Sequence, residues 1–540
     1  MPSSHPENQQ KKLFGGVLVL LPAALFTKVV GLCYKIPLIA IVGVAGMAYF
    51  LAAYHIYSML FVLSATGLPT ALSLAVAKAV AAGNSRATGR IFRVSLLLFL
   101  SLGLSGTALL LAFAPALAAQ LSMPDAAPSI VAIAPALLLS AFIGAAKGYF
   151  QGLHIMWPTA LSEVLEAAGK LGFGLALALL AKGRGASTPM VAAYAILGIT
   201  VGLALAALVL AFLLILHACK NARKSSQGER PSRRAVFATL CRVALPVTVS
   251  ASVMSLTTLI DTALISGRLQ AAGYAPAVAN GIYSSYGNLA MPLYNLIPSL
   301  LSPITLALMP LLGAAHAGGD VQGGRRALAS ALRLTVLCAI PSAMGLAVFA
   351  EPLLSLIYRG QGEAIGVAAP LLSLLALSVL PTALITLTGA ALQATGHTLS
   401  PIAAMGVGAA VKLTLEYMLL SMPAVGIYGA PISTLCCNLT ILGIQTVQLC
   451  RVMRHPLLSV GALFRPLGAS ALAVGIGAVL YVGLAFHGGG DWCMLPVLLL
   501  TVLLFVPLAL RLGAVEQQDI LALPMGERIC PLLQKMKLLK

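Results

Sequence analysis

Lysines stand where this sequence is otherwise too apolar to hold a charge. Lys28, Lys170 and Lys412 interrupt hydrophobic runs of about twenty residues, and Lys35 closes the first of these runs. A charge at the centre of a bilayer costs at least about 2.5–3.5 kcal/mol, so each needs a reason to be there. In a site of reduced dielectric an ammonium group makes strong charge-assisted hydrogen bonds to phosphate or carboxylate oxygens, so lysines lining a cavity would bind an anion. Lys28 and Lys35 are seven residues apart and share a helix face. At 1.5 Å per residue, Lys28 lies about 22 Å beyond Lys12. Either lysine could instead snorkel to the outer interface, and both readings stay open.

Carboxylates accompany two of these lysines. Glu163, Glu166 and Lys170 are spaced three and four apart and stack on one face of a helix, and Lys412 and Glu416 are four apart on another. Each group is either a neutralised structural pair or a polar cavity wall in which a carboxylate could take a proton or Na⁺. Asp261, with Arg268 seven residues later, is an ion site or a structural bridge. Asn288, Pro292, Asn295, Ser299 and Ser302 recur at steps of 4, 3, 4 and 3, forming one polar stripe on an apolar helix. Such a stripe faces a cavity or hydrogen-bonds neighbouring helices. His55, beside Tyr54 and Tyr57, is a weaker cavity candidate. The substrate-facing set is therefore Lys28, Lys35, His55, Lys170, Asn288, Asn295 and Lys412. The coupling set is Glu163, Glu166, Asp261 and Glu416, for Na⁺ or H⁺. No resident cofactor or metal is expected.

The elements that must position these residues are transmembrane helices. Of 540 residues, 60% are hydrophobic and 9% are charged, against roughly 25% charged in soluble domains, so lipid is the natural solvent. A backbone in lipid must pair its own polar groups, and the apolar runs lack period-2 alternation, which selects helices over a barrel. Spans are predicted at 13–34, 47–77, 91–113, 128–150, 158–180, 190–217, 243–266, 282–312, 328–349, 366–390, 401–421, 427–449, 466–486 and 492–512. With the amino terminus inside, 25 Lys and Arg fall on the cytoplasmic side, 5 outside and 3 within spans. That asymmetry orients the chain with both termini in the cytoplasm. It also accounts for the net charge of +19 without nucleic acid. The nine cysteines show no CxxC spacing and read as small hydrophobes. Lys11 and Lys12 precede a full-length span without a small-residue cleavage site, so that span is expected to stay as an anchor.

The fold expected is an all-α polytopic membrane protein of about fourteen helices. A tail (1–12) leads into an N-lobe of helices one to six (13–217), a basic linker (218–242) and a C-lobe of helices seven to twelve (243–450). Two further helices with a preceding amphipathic loop (451–512) and a tail (513–540) follow. The lobes echo each other. Gln151, Pro158 and Lys170 match Gln393, Pro401 and Lys412, with 19 residues from Gln to Lys in both. Pro69, Gly83-Asn84 and Arg90 match Pro303, Gly319-Asp320 and Arg325. Six spans per lobe give both the same orientation, with a pseudo-two-fold along the membrane normal, as in transporters that rock around a central site.

Several motifs in order carry a resemblance. Lys28-Val-Val-Gly31-Leu-Cys-Tyr34-Lys35-Ile36-Pro37-Leu38 is similar to the first-helix signature of SpoVB-type polysaccharide biosynthesis proteins. So are Ser64-Ala-Thr-Gly67-Leu-Pro69-Thr-Ala-Leu-Ser73, Lys147-Gly-Tyr-Phe-Gln-Gly152 with Pro158-Thr159, Asp261 with Arg268, and Lys412 with Gly426-Ile-Tyr-Gly-Ala430. The likeness runs from about residue 13 to 510. That family lies in the multidrug/oligosaccharidyl-lipid/polysaccharide (MOP) exporter superfamily, with the MurJ lipid II flippases and the MATE antiporters. The resemblance implies two six-helix bundles plus two helices. It also implies a bacterial plasma-membrane protein that moves an undecaprenyl-diphosphate-linked saccharide outward; its oligomeric state stays open, with a monomer the expectation. MurJ flippases line their cavity with arginines, whereas this sequence has no arginine within a span core and would use lysines.

Two other classes compete. A membrane glycosyltransferase or polymerase needs a catalytic loop or paired metal-binding carboxylates, but the 14 acids here form no loop-borne DD or DxD pair. A MATE-like cation-coupled drug antiporter needs a cavity dominated by carboxylates, and this sequence offers both signs. The topology itself is testable. A reporter fused after Lys540 or within the Cys219–Arg242 linker is expected to be cytoplasmic, and one at His487–Gly490 external. An external carboxyl terminus would remove the even span count.

Overall fold

The computed structural model describes residues 26–27, 30–31, 34–65, 67–221, 229, 231–317, 320–422, 424–453, 460–487 and 490–515. Helix dominates, and no strand occurs among the described residues, as a lipid-embedded backbone requires. By internal contacts the chain falls into two compact units, Met1–Gln270 with Tyr274–Ser284, and Ala271–Gly273 with Ser285–Lys540.

In the first unit a helical stretch over 34–42 ends at Gly43, whose φ of +82° suits glycine. There follow α1 (Val44–Ala65), α2 (Gly67–Ala81), α3 (Ser85–Gln120), α4 (Ala127–Gly152), α5 (Trp157–Gly183), α6 (Thr188–Asn221), α7 (Arg233–Ala271) and α8 (Pro276–Ser284). The second unit begins with a π-helical turn, Ser285–Ala290, and continues through α9 (Met291–Ala317), α10 (Val321–Val348), α11 (Ala350–Ile357), α12 (Gly362–Ala376) and α13 (Val379–Ala394). It ends with α14 (Leu399–Leu420), α15 (Gly429–Met453), α16 (Val460–Phe486) and α17 (Met494–Arg511).

Ten stretches among the described residues are long and apolar enough to cross a membrane. An eleventh counts if α12 and α13, bent by 46°, form one broken span. These eleven coincide with the predicted second to sixth and ninth to fourteenth spans. The predicted first span lies almost wholly outside the described residues, as do residues 222–228 and 230 of the basic linker. The predicted seventh and eighth spans fall on α7 and on α8 to α9, which are helical but outside that set. Leucines and phenylalanines such as Leu97, Phe113, Leu208 and Phe486 stand exposed on these helices, with Val479 beside them. A soluble protein could not keep so much apolar surface in water, whereas a lipid belt covers it.

The repeat seen in sequence has structural counterparts. Asn84 caps α3 by accepting from the Ala87 N–H at 2.8 Å, and Asp320 caps α10 by accepting from the Gly323 N–H at 2.8 Å. Both supply an acceptor to an otherwise unpaired first-turn donor. Pro158 and Pro401 sit in the first turns of α5 and α14, and Lys170 and Lys412 lie on those same helices. The seventh span, placed by the repeat in the second lobe, packs with the first unit. Val236, Leu240 and Ala244 of α7 join Leu68, Leu72, Val76, Ile91 and Phe99 in one apolar core. A contact unit reflects which apolar face is covered, and α7 covers α2.

Backbone contact between α5 and α6 fixes how closely these two helices approach. A Cβ on Gly198 would fall 2.2 Å from the Gly174 Cα, and one on Gly169 would fall 2.6 Å from the Gly202 Cα. Small residues let membrane helices approach closely and gain dispersion energy where no hydrophobic effect acts between them. Gly198→Ala must therefore force the pair apart, at about 1–3 kcal/mol. Its thermal unfolding midpoint in detergent should drop. Gly172→Ala, which meets nothing within 4 Å, should leave the midpoint unchanged or slightly raised.

Candidate functional site

Three elements of the first unit converge on one lysine. The Lys170 ammonium of α5 lies 5.2 Å from the ring centre of Tyr34 and 5.4 Å from that of Tyr54. A cation over an aromatic face is worth about 0.5–2 kcal/mol, more as water is excluded. Each ring is held in place. Tyr34, 1% exposed, donates its hydroxyl to the Ala195 carbonyl of α6 at 3.1 Å. Its ring occupies the notch left by Gly174, where a Cβ would come within 2.7 Å of it. Phe50 of α1 stands 6.3 Å from Tyr34 and stacks at 6.5 Å on Tyr54, bridging the two rings. The glycines of the α5–α6 contact thus place Tyr34 beneath Lys170.

Lys35 follows Tyr34 directly and is half-buried. Its charge acts on that of Lys170 and on His55, so two ammonium groups from different helices lie within electrostatic reach of each other. Their carriers are fastened together. Lys182, near the end of α5, donates to the Ile41 carbonyl at 2.7 Å and the Ala40 carbonyl at 3.4 Å, tying down the free carbonyls at the end of the 34–42 helix.

The carboxylates divide differently from the expected stack on one helix face. Glu163 pairs with Lys147 of α4 at 3.6 Å. Glu166 remains within electrostatic reach of Lys170 and of Lys147. The region therefore holds Lys35, Lys147 and Lys170 against Glu163 and Glu166, a formal excess of one positive charge.

His55 of α1 belongs to a hydroxyl network with α7 and α8. Its Nδ1 lies 2.6 Å from the Thr262 Oγ1, and Tyr283 donates to the same oxygen at 3.0 Å. Thr262 sends its one proton to the Thr258 carbonyl at 3.0 Å. Thr262 must then accept from His55, which puts the His55 proton on Nδ1 and leaves Nε2 as an acceptor when the ring is neutral. Asp261, buried beside Thr262, acts electrostatically on Tyr283.

The other predicted residues lie elsewhere. Lys28 is outside the described residues. Asn288 and Asn295 differ in their surroundings. The π turn Ser285–Ala290 widens the helix where an unbroken 3.6-residue repeat was assumed. Asn288 ends fully buried, its carbonyl accepting from the Tyr358 hydroxyl at 3.3 Å, while Asn295 is exposed. Lys412 and Glu416 are buried in the second unit. Tyr34 and Phe50 were not singled out as site residues, though Tyr34 stands beside Lys35 in the first-helix motif. Among the described residues no three His, Cys, Asp or Glu gather to hold a metal. The second unit also contains a cavity of about 520 Å³, lined almost wholly by apolar side chains including Leu293, Leu337, Phe349, Val474 and Phe505, between α9, α10, α16 and α17.

Comparison with known proteins agrees with an all-α polytopic fold. A family model described as Polysaccharide biosynthesis protein matches residues 13–316, and one described as MatE matches 283–418. The Bacillus subtilis (strain 168) stage V sporulation protein B is 29% identical over 431 residues, covering 77% of this chain and 80% of that protein. The Lipid II flippase MurJ of the same organism is 23% identical over 432 residues, covering 76% and 78%. Among solved structures, a Lipid II flippase MurJ in an inward closed conformation superposes with a TM-score of 0.69 at 14% identity, covering 91% of this chain and 98% of that one. An inward-facing MATE family multidrug transporter of the MOP superfamily gives 0.66 at 17% identity, covering 80% and 94%.

Proposed function

This chain belongs to the polysaccharide biosynthesis protein family, as the match over residues 13–316 shows, and on that premise we propose that it flips an undecaprenyl-diphosphate-linked saccharide from the inner to the outer leaflet by alternating access. The observation that carries this reading is Lys170 held over the Tyr34 and Tyr54 rings with Lys35 within electrostatic reach of it in the first unit. Two half-buried ammonium groups repel each other and have lost part of their hydration. A doubly charged diphosphate arriving between them replaces both losses with charge-assisted hydrogen bonds. Tyr34 and Tyr54 hold one lysine in place, and aromatic faces also suit the apolar face of a sugar. The apolar cavity of the second unit, of about 520 Å³, offers surface of the kind a prenyl chain needs.

The potential can drive such a step. Two negative charges moved outward against an inside-negative potential gain about 2.3 kcal/mol each per 100 mV, so no coupled ion is required. A MATE-like antiporter is the second reading, favoured by Glu166 beside Lys170 and by the MatE match.

In proteoliposomes carrying a fluorescent prenyl-diphosphate disaccharide, Lys35→Gln and Lys170→Gln should each slow flipping by about 10–100-fold, since a hydrogen bond to a charged group contributes about 1.5–3 kcal/mol. Arginine at either position should retain part of the rate, and efflux of a cationic dye should be absent in all. Full flipping by a well-folded Lys35→Gln/Lys170→Gln protein would overturn the reading. Robust dye efflux without lipid flipping would favour the antiporter.

A further inference from the structure

One face of α3 is covered by its neighbours and the other is not. Ala87, Ile91, Ser95 and Phe99 are buried along the side that packs on α2 and α4. The other side carries Arg86, Arg90, Arg93, Leu97 and Leu104, at steps of 4, 3, 4 and 7, which keep to one helical face. Leu97 and Leu104 are 67% and 59% exposed. Three arginines therefore stand in the first turns of the helix, and bare leucines continue the same stripe beyond them. From Arg93 to Leu104 the helix rises about 16 Å, roughly the hydrocarbon depth of one leaflet.

These arginines do not serve α3 itself. Cations oppose the dipole where a helix begins, and no acid stands in its first turn to offset them. Like charges three and four residues apart also repel. A neighbouring segment adds more of the same sign. The Asn84 amide donates to the Glu229 carbonyl at 2.9 Å, which brings the start of α7, with Arg233 and Arg234 exposed, to this end of α3. Residues 67–95 contain no acid, and Glu229 is the one acid in 229–245.

The lobe repeat supplies a comparison. Arg325, the match of Arg90, donates its Nε to the Met453 carbonyl at the end of α15 at 2.8 Å. The Arg90 Nε is buried without a hydrogen-bond partner. A buried donor lacking an acceptor has lost hydration with nothing in return, and a phosphate oxygen is the acceptor that a guanidinium binds most strongly.

We propose that this face of α3 binds one anionic phospholipid of the surrounding bilayer, with its phosphate at Arg86, Arg90 and Arg93 and an acyl chain along Leu97 and Leu104. Charge complementarity selects the occupant. An anionic headgroup above an apolar chain answers both halves of the stripe. Free phosphate leaves the leucines bare, and a zwitterionic headgroup brings its own cation to the arginines. None of these residues belongs to the region around Lys170, so the proposal stands apart from the flippase reading.

Thermal unfolding of the purified full chain in detergent reads the site without a transport step. Dioleoyl phosphatidylglycerol should raise the wild-type midpoint by several degrees, saturably, while dioleoyl phosphatidylcholine and inorganic phosphate at the same concentration should not. Arg90→Gln/Arg93→Gln should lose at least half of that shift. Arg451→Gln/Arg511→Gln, which removes two exposed cations elsewhere, should keep it. Equal losses in the two double variants would mean bulk charge attraction and overturn the proposal. So would equal shifts with both phospholipids, or a shift that inorganic phosphate reproduces. A shift with undecaprenyl diphosphate but none with phosphatidylglycerol would assign the face to the substrate and overturn it too. Should Arg90→Gln/Arg93→Gln fail to fold, Arg93→Gln alone decides, since Arg93 is exposed. It should reduce the phosphatidylglycerol shift, and an unchanged shift would contradict the site.

Discussion

A charge taken out of water has to be compensated by the protein around it, and in a chain with 9% charged residues this requirement shapes much of the interior. Around Lys170 the compensation is assembled from three helices. Gly174 and Gly198 let α5 and α6 touch backbone to backbone, which opens the notch that receives Tyr34. Phe50 spans to Tyr54, and the two tyrosine rings face the ammonium. Lys182 ties the 34–42 helix to α5, so Lys35 cannot drift from Lys170. Packing of the smallest residues thus controls the electrostatics of the largest.

The two units meet the same requirement in two ways. The first leaves its lysines partly accessible and in excess over their carboxylates, a condition that favours an arriving anion. The second buries Lys412 and Glu416 on a packing face at equal and opposite charge, a condition that favours stability over exchange. A repeat in sequence therefore conserves the place of a lysine on its helix, while the neighbouring helices decide what that charge does.

Legibility in the sequence tracked the range of the interactions involved. The eleven apolar spans that match prediction are local, each written in about twenty consecutive residues, and the caps at Asn84 and Asp320 are local too. Lys35 and Lys170 stood out because a charge in an apolar run is conspicuous alone. Their meeting did not, because it depends on Gly174 receiving Tyr34 from far along the chain. The Glu163–Glu166–Lys170 ladder was legible as a helix face, but spacing could not show that Glu163 would pair with Lys147 of α4. The polar stripe was counted on an unbroken helix, and a π turn at Ser285–Ala290 changes that period at Asn288, which is buried while Asn295 is exposed. The family resemblance, resting on linked motifs along the chain, is met by the match over residues 13–316.

The central claim is that Lys35 and Lys170 together make a diphosphate site, and direct binding tests it without any transport step. The affinity of the purified protein for undecaprenyl diphosphate and for undecaprenyl monophosphate can be compared by titration at fixed salt. The wild type should prefer the diphosphate by about tenfold or more, equivalent to about 1.4 kcal/mol. Lys35→Gln/Lys170→Gln should bind the two lipids alike. A double variant that keeps the full preference would place the anion site elsewhere and contradict the claim.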